Sequence, residues 1–156
     1  MQKHVEIADF VVIDETATVA VEAHGGRGKC LQRLIRLNLP VPQTVGLPFK
    51  TVRSLASGDF VDTARILAHF GDGPLVSVRP SSEDPDWGGP GAILNIGMND
   101  ARRAEFASLL GQKAADELYA RFIQTYSVQV AHLDPDVFDS IDTGSTDMLA
   151  RMLDAY

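Results

Sequence analysis

The sequence predicts an α+β fold, with strands in its first two thirds and helices in its last, on three observations. Short runs of β-branched and aliphatic residues, at 10–13, 74–79 and 92–97, have strand length and are bounded by glycine, proline or acidic turns. From Asp100 onward apolar residues recur at steps of three and four, the period of an amphipathic helix. Two glycine-rich segments, one around Gly25 and one around Gly88, interrupt the pattern where a strand run ends.

Taken in order, residues 5–23 read as two strands, Phe10-Val11-Val12-Ile13 and Val19-Ala20-Val21, around an Asp14-Glu15 turn. Gly25-Gly26-Arg27-Gly28 is too rich in glycine to continue a strand. Beyond it Leu31, Leu34, Ile35 and Leu39 recur at helical spacing, interleaved with Lys29, Arg33 and Arg36. Pro40 and Pro42 end that helix, because proline lacks the N–H that a ladder needs. Residues 44–48 predict a short strand. Two short helices come next, at 49–57 and 60–70, with Asp59 as a candidate cap. Gly71-Asp72-Gly73 turns the chain into the strand ending at Arg79, and a long polar loop at 80–91 leads to the strand at 92–97. Helices are expected at 101–110, 114–132, 136–141 and from Ser145. Leu118, Phe122, Tyr126 and Val130 should form the core-facing stripe of the second of these. The whole is expected to be one domain, 1–156, with a small mixed sheet, flanking helices and a helical C-terminal third.

Composition narrows the classes of function. A chain of 156 residues with 45% hydrophobic and 22% charged residues can build a sizeable core without a metal or disulfide. Its single cysteine, Cys30, cannot form an internal disulfide. The net charge of −7 gives no general attraction to nucleic acid or to an anionic membrane surface, though a local basic pocket can hold a small anion. No apolar run reaches membrane-spanning length, and the acidic N-terminus does not read as a signal segment, so a cytoplasmic location is expected.

The glycine loops are the candidate chemistry. Glycines between a strand and a helix let backbone N–H groups approach a phosphate, with the helix N-terminus adding partial positive charge and Arg27 and Lys29 full charges. Both ends of the P-loop pattern fail here, at Ala23 and Cys30, and the G-x-G-x-x-G spacing is absent. Anion binding and an ordinary turn with a solvated basic helix start therefore both stand. Arg79, at the end of a hydrophobic strand, offers a planar fork to phosphate oxygens; alternatively it pairs with Glu83, Asp84 or Asp86 in its own loop. Those acids could help hold Mg²⁺ on a phosphate or simply form a solvated turn. Cys30 reads as an incidental thiol, and Trp87 as a base-stacking ring or a local plug. The four histidines have no metal-ligand spacing, and only His24, beside the glycines, is a candidate phosphate contact.

Three segments together resemble a known family. Gly25-Gly26-Arg27-Gly28-Lys29 leading to Asn38-Leu39-Pro40-Val41-Pro42 resembles the glycine loop and helix that open the ATP-grasp nucleotide-binding domain of the pyruvate phosphate dikinase and phosphoenolpyruvate synthase family. Pro74-Leu75-Val76-Ser77-Val78-Arg79 with Ile93-Leu94-Asn95-Ile96-Gly97-Met98-Asn99-Asp100, and Arg121-Phe122-Ile123-Gln124-Thr125-Tyr126, resemble two further segments of that family in the same order. The match covers roughly 25–138.

The resemblance implies an ATP-grasp N-terminal subdomain. It places the family's polyphosphate-binding lysine at Arg27, its strand-end arginine at Arg79, and its closing segment at Gly88 and Gly89, so that Gly25, Gly26, Arg27, Gly28, Lys29, Arg79, Gly88 and Gly89 form the expected phosphate site. Arginine in place of lysine at 27 keeps the charge and changes the geometry. Three acids, Glu83, Asp84 and Asp86, enter the second loop and oppose a triphosphate unless Mg²⁺ or outward-pointing side chains relieve them. The family's enzymes are several-fold longer, so the resemblance implies a truncated, kinase- or phosphotransferase-related chain that does not complete the dikinase reaction alone. The expected ligand is Mg-ATP or another phosphorylated small molecule, with no tightly bound metal. The alternative is a regulatory or protein-interaction module that kept the fold and lost the nucleotide. Either version leaves an apolar face for a homodimer contact or a partner chain, with the helix from Ser145 a candidate to cover it.

Overall fold

A computed structural model describes residues 10–82, 84 and 91–156. The fold is α+β, and its described residues belong to two compact units, one drawn from Met1–Asp72 with Ser81–Gly88 and the other from Gly73–Pro80 with Gly89–Tyr156.

In the first unit, β1 (Val11–Val12) pairs antiparallel with β2 (Val45–Gly46), Val11 lying opposite Gly46 and Val12 opposite Val45. Ile13 extends the ladder by donating its N–H to the Thr44 carbonyl at 2.9 Å. The expected second strand at 19–21 does not form: its last residue opens helix α1 (Val21–Arg36). Asp14 decides this. Its carboxylate accepts the Thr16 N–H, the Thr16 hydroxyl and the Ala17 N–H, turning the chain away from β1. Those bonds to the charged form hold the Asp14 carboxyl below the usual carboxylate range, the Thr16 hydroxyl contributing most.

α1 ends as expected, with Arg33 and Arg36 in its last turn, where the helix dipole favours cations, and Asn38 in a left-handed conformation. Helices α2 (Phe49–Ala56) and α3 (Thr63–Leu67) come next, the latter running into a 3₁₀ turn, Ala68–Phe70. The cap of α3 is Asp62, whose carboxylate accepts the Arg65 N–H at 3.2 Å, and not Asp59, which accepts the Ser54 hydroxyl. Phe10 packs here, edge-on to His69 with the Arg65 guanidinium 5.3 Å from its ring centre.

In the second unit, β3 (Val76–Val78) pairs antiparallel with β4 (Ile93–Ile96). The strands thus form two separate two-stranded antiparallel ladders instead of one small mixed sheet. Each ladder is too short to be a layer of its own. β4 lies on α5 (Gln112–Gln129), where the Thr125 hydroxyl oxygen accepts the Leu94 N–H and Asn95 Nδ2 donates to the Leu118 carbonyl, both at 3.0 Å. α4 (Asp100–Leu110) starts at Asn99, whose side chain accepts the Arg102 N–H, and Gly111 at φ +90° folds α4 back on α5. Arg103 Nε donates to Asp116 at 2.6 Å, fastening the two helices, and Gln112 Nε2, one turn back on α5, donates to the same carboxylate at 2.7 Å.

The core of this unit joins α5 to α6 (Pro135–Asp139) and α7 (Met148–Ala155) through Ala120, Ile123, Phe138, Ile141, Met148, Leu149 and Met152. The helix from Ser145 therefore begins at Met148 and covers α5. The buried stripe of α5 is Ala120, Ile123 and Ser127, not the expected Leu118, Phe122, Tyr126 and Val130, the last being 42% exposed. The aromatic side chains lie beside that stripe, where Tyr126 meets Phe122 and Tyr156 with ring centres 5.7 and 6.2 Å apart.

Candidate functional site at the glycine break of α1

α1 is interrupted. Gly25, at φ 76° and ψ 171°, is non-helical, so the chain makes one turn from Val21, breaks, and resumes helix at Gly26. The glycine segment therefore separates two helical pieces and not, as expected, a strand from a helix. Gly25 is required there twice over. Its φ is in the region that side chains with a Cβ rarely adopt, and a Cβ would collide with the Ser81 hydroxyl and lie 2.8 Å from the Ser82 nitrogen. The approach is fixed by one backbone bond: Gly26 N–H donates to the Ser82 carbonyl at 2.9 Å. The Ser81 hydroxyl oxygen is buried beside Gly25 without a hydrogen-bond partner among the described residues.

Gly28 and Lys29 face a different neighbour. Gly28 is buried, and a Cβ on it would meet His24 at 3.3 Å and Val19 at 3.7 Å, so its small size admits the segment preceding α1. The Lys29 ammonium donates to the Val19 carbonyl at 2.8 Å and to Gln32 Oε1 at 3.1 Å. Gln32, fully buried, passes this contact on by donating Nε2 to the carbonyls of Asp14 and Ala17. Together they satisfy backbone groups of the 14–19 turn that would otherwise be buried unpaired. His24 belongs to the same packing: its Nδ1 faces the Ala20 N–H at 3.4 Å, and its ring borders Gly46.

Arg27 and Cys30 are exposed on α1. Arg79 is exposed in the second unit, one residue beyond β3, and makes no ion pair among the described residues. Of the expected phosphate site, then, the structure gathers Gly25, Gly26, Arg27, Gly28 and Lys29 on the first half of α1, and carries Arg79 at the strand end that the sequence predicted. Gly88 and Gly89, with Trp87, Glu83 and Asp86, lie outside the described residues. Among the described residues no three His, Cys, Asp or Glu side chains converge as a metal site would require, and no helix is long and apolar enough to cross a membrane.

Sequence reasoning passed over Ser81 and Ser82 as members of this site. Their signal was available in retrospect as two small residues directly after Pro80, opposite a glycine that tolerates no Cβ. Gln32 was equally silent, since a glutamine between Leu31 and Arg33 on a helix carries no mark of burial.

No family model matches the chain. It is 28% identical, over an alignment of 145 residues with 75% of this chain covered, to the pyruvate, phosphate dikinase of Rhizobium meliloti (strain 1021). The chain spans only 15% of that protein's length. A distant relationship to a pyruvate, phosphate dikinase is thus supported by comparison as well as by the three segments that resemble that family.

Proposed function

We propose that this chain is an ATP-grasp-like nucleotide-binding subdomain that takes Mg-ATP or a related phosphorylated ligand, and that it does not complete phosphoryl transfer by itself. The observation that carries this reading is the break at Gly25, which starts a fresh helix at Gly26 with Arg27 exposed on its first turn. A helix start of that kind favours an anion through its dipole, and a guanidinium adds a full charge and a planar fork. Arg79 supports the same reading as an exposed guanidinium at a strand end. Similarity to a dikinase makes a phosphorylated ligand the natural chemical class.

The test is calorimetric titration of Mg-ATP into the wild-type protein, Arg27→Ala and Arg79→Ala. Saturable binding weakened tenfold or more by either substitution, about 1.4 kcal/mol, is the expected result. Absence of binding to a folded wild-type protein overturns it.

A second reading, a regulatory or interaction module without nucleotide, draws on two observations. The Gly26 N–H already has an acceptor in Ser82. At the far end of α1 lies an open groove of about 450 Å³, lined largely by Ile13, Ile35 and the 39–42 segment, whose Leu39 is 48% exposed. Self-association or a partner chain belongs to this reading, and a protein that Mg-ATP leaves thermally unchanged would favour it.

A further inference from the structure

The chain from Gly91 through β4 is held on α5 by a row of side-chain bonds to backbone. Gln129 Oε1 accepts the Gly91 N–H at 2.9 Å, the Thr125 hydroxyl oxygen accepts the Leu94 N–H at 3.0 Å, and Asn95 Nδ2 donates to the Leu118 carbonyl at 3.0 Å. Residues 118, 125 and 129 recur at i, i+7 and i+11, which places them along one side of the helix. A helix uses its backbone N–H groups for its own ladder, so side chains here stand in for a third strand.

Two of these bonds fall on an irregularity. Val76 lies opposite Ile96 and Val78 opposite Ile93, so Ser77 on β3 is faced by two residues of β4, Leu94 and Asn95. This is a β-bulge, and Asn95 is its left-handed residue, at φ 54°. Apart from glycine, asparagine and aspartate are the residues that take this conformation most readily. α5 holds both members of the bulge, Leu94 through its N–H and Asn95 through its side chain, and the Asn95 carbonyl also accepts the Met98 N–H at 3.1 Å.

The bulge sets the end of β3. A regular ladder continued from Val76 and Ile96 would pair Val78 with Leu94; the bulge pairs it with Ile93 instead. Successive residues of a strand point to opposite faces, so this change of one residue alters which side chains flank β3 past Ser77, and the bulge adds local twist. The residues affected are Val78, 56% exposed, and Arg79, the exposed guanidinium that follows it.

We infer that Asn95 is a positioning residue for Arg79: by holding the bulge in its left-handed conformation it sets the direction in which the Arg79 guanidinium leaves the end of β3. The inference rests on the proposed role of Arg79 in binding a phosphorylated ligand. A plain ladder between β3 and β4 would need no left-handed residue and would lose no pairing. Bulges are devices that re-aim a side chain at a strand end, and here the side chain past the bulge is a candidate ligand contact.

The test is calorimetric titration of Mg-ATP into the full chain as wild type, Asn95→Ala, Asn95→Gly, Arg79→Ala and the double variant of Asn95→Ala with Arg79→Ala. Alanine disfavours the left-handed conformation, whereas glycine keeps it. Asn95→Ala should weaken binding about fivefold or more, and Asn95→Gly should stay within about twofold of wild type. In the Arg79→Ala background, Asn95→Ala should change affinity by less than about twofold. A merely structural role would lower stability in both backgrounds without making the loss of affinity depend on Arg79. Thr125→Val strands the Leu94 N–H and so displaces the other bulge residue; it should weaken binding through Arg79 in the same way, and it carries the test if circular dichroism shows Asn95→Ala unfolded. Wild-type binding that these variants leave unchanged, a loss equal with and without Arg79, or a loss that Asn95→Gly shares in full overturns the inference and leaves the nucleotide reading standing. A folded wild-type protein that takes up no Mg-ATP overturns both.

Discussion

The backbone N–H of Gly26 donates to the carbonyl of Ser82 at 2.9 Å, so the point where α1 restarts is joined to the segment just beyond Pro80. That bond is compatible with Gly25 alone as the preceding residue, since a Cβ there would displace Ser81 and Ser82. It makes the break in α1 a tertiary feature as well as a local one.

Replacing Gly25 therefore has two costs that can be separated. Gly58, at φ +93° with nothing within 4 Å of the place a Cβ would occupy, carries only the backbone cost, and Gly58→Ala should lose about 1 kcal/mol. Gly25→Ala adds overpacking against Ser81 and Ser82, about 1–3 kcal/mol more. Denaturant midpoints of the two variants measure the difference, and equal losses would mean that Ser81 and Ser82 do not press on Gly25.

Gln32 is fully buried and serves three partners, Lys29 and the carbonyls of Asp14 and Ala17. Gln32→Leu keeps most of the volume while stranding those groups, and should cost about 2–3 kcal/mol. Amide hydrogen exchange should show the turn at 14–19 opening more readily. Cys30→Ser, two residues away and exposed, serves as the control and should change stability little.

The α4–α5 fastening is pH-sensitive in a definite direction. The hydrogen bond from Arg103 is the main cause holding the Asp116 carboxyl below its ordinary value, with Gln112 adding to it against a partial burial that acts the other way. A carboxyl lowered by folding contributes stability that is present above its unfolded pKa and is lost as pH falls through the folded one. The wild type should thus exceed Asp116→Asn in stability at neutral pH, by up to about 1 kcal/mol for so accessible a pair, and the gap should close below about pH 4. A gap that persists under acid conditions contradicts this account.

Packing in the second unit is concentrated on one face of α7. Met152 is 1% exposed within the cluster that also holds Phe138 and Ile123, while its neighbour Leu153 is 41% exposed. Met152→Ala should cost about 2–5 kcal/mol by leaving a cavity, and Leu153→Ala should stay within about 0.5 kcal/mol. Thermal unfolding of the pair decides whether α7 is integral to this unit.

Much of this arrangement was legible in the residues. Hydrophobic runs of strand length marked β3 and β4, and helical periodicity marked α4 to α7, because those signals are local and each element carries its own. The resemblance to the dikinase family also rested on residues alone, and the distant similarity to such an enzyme agrees with it. What the tertiary structure decided was which local preferences survive. Val19 to Val21 has strand-forming side chains, yet Asp14 turns the chain, Gln32 takes the Ala17 carbonyl and Lys29 the Val19 carbonyl, and helix begins at Val21 instead. Leu118, Phe122, Tyr126 and Val130 repeat at the right period for a core stripe, yet α5 buries the adjoining face of Ala120, Ile123 and Ser127, because the core cluster of α6 and α7 forms on Ala120 and Ile123. The glycines could announce a break in the chain but not its occupant. Ser81 and Ser82 fill that break through backbone contacts, and backbone groups are the same at every position of a sequence.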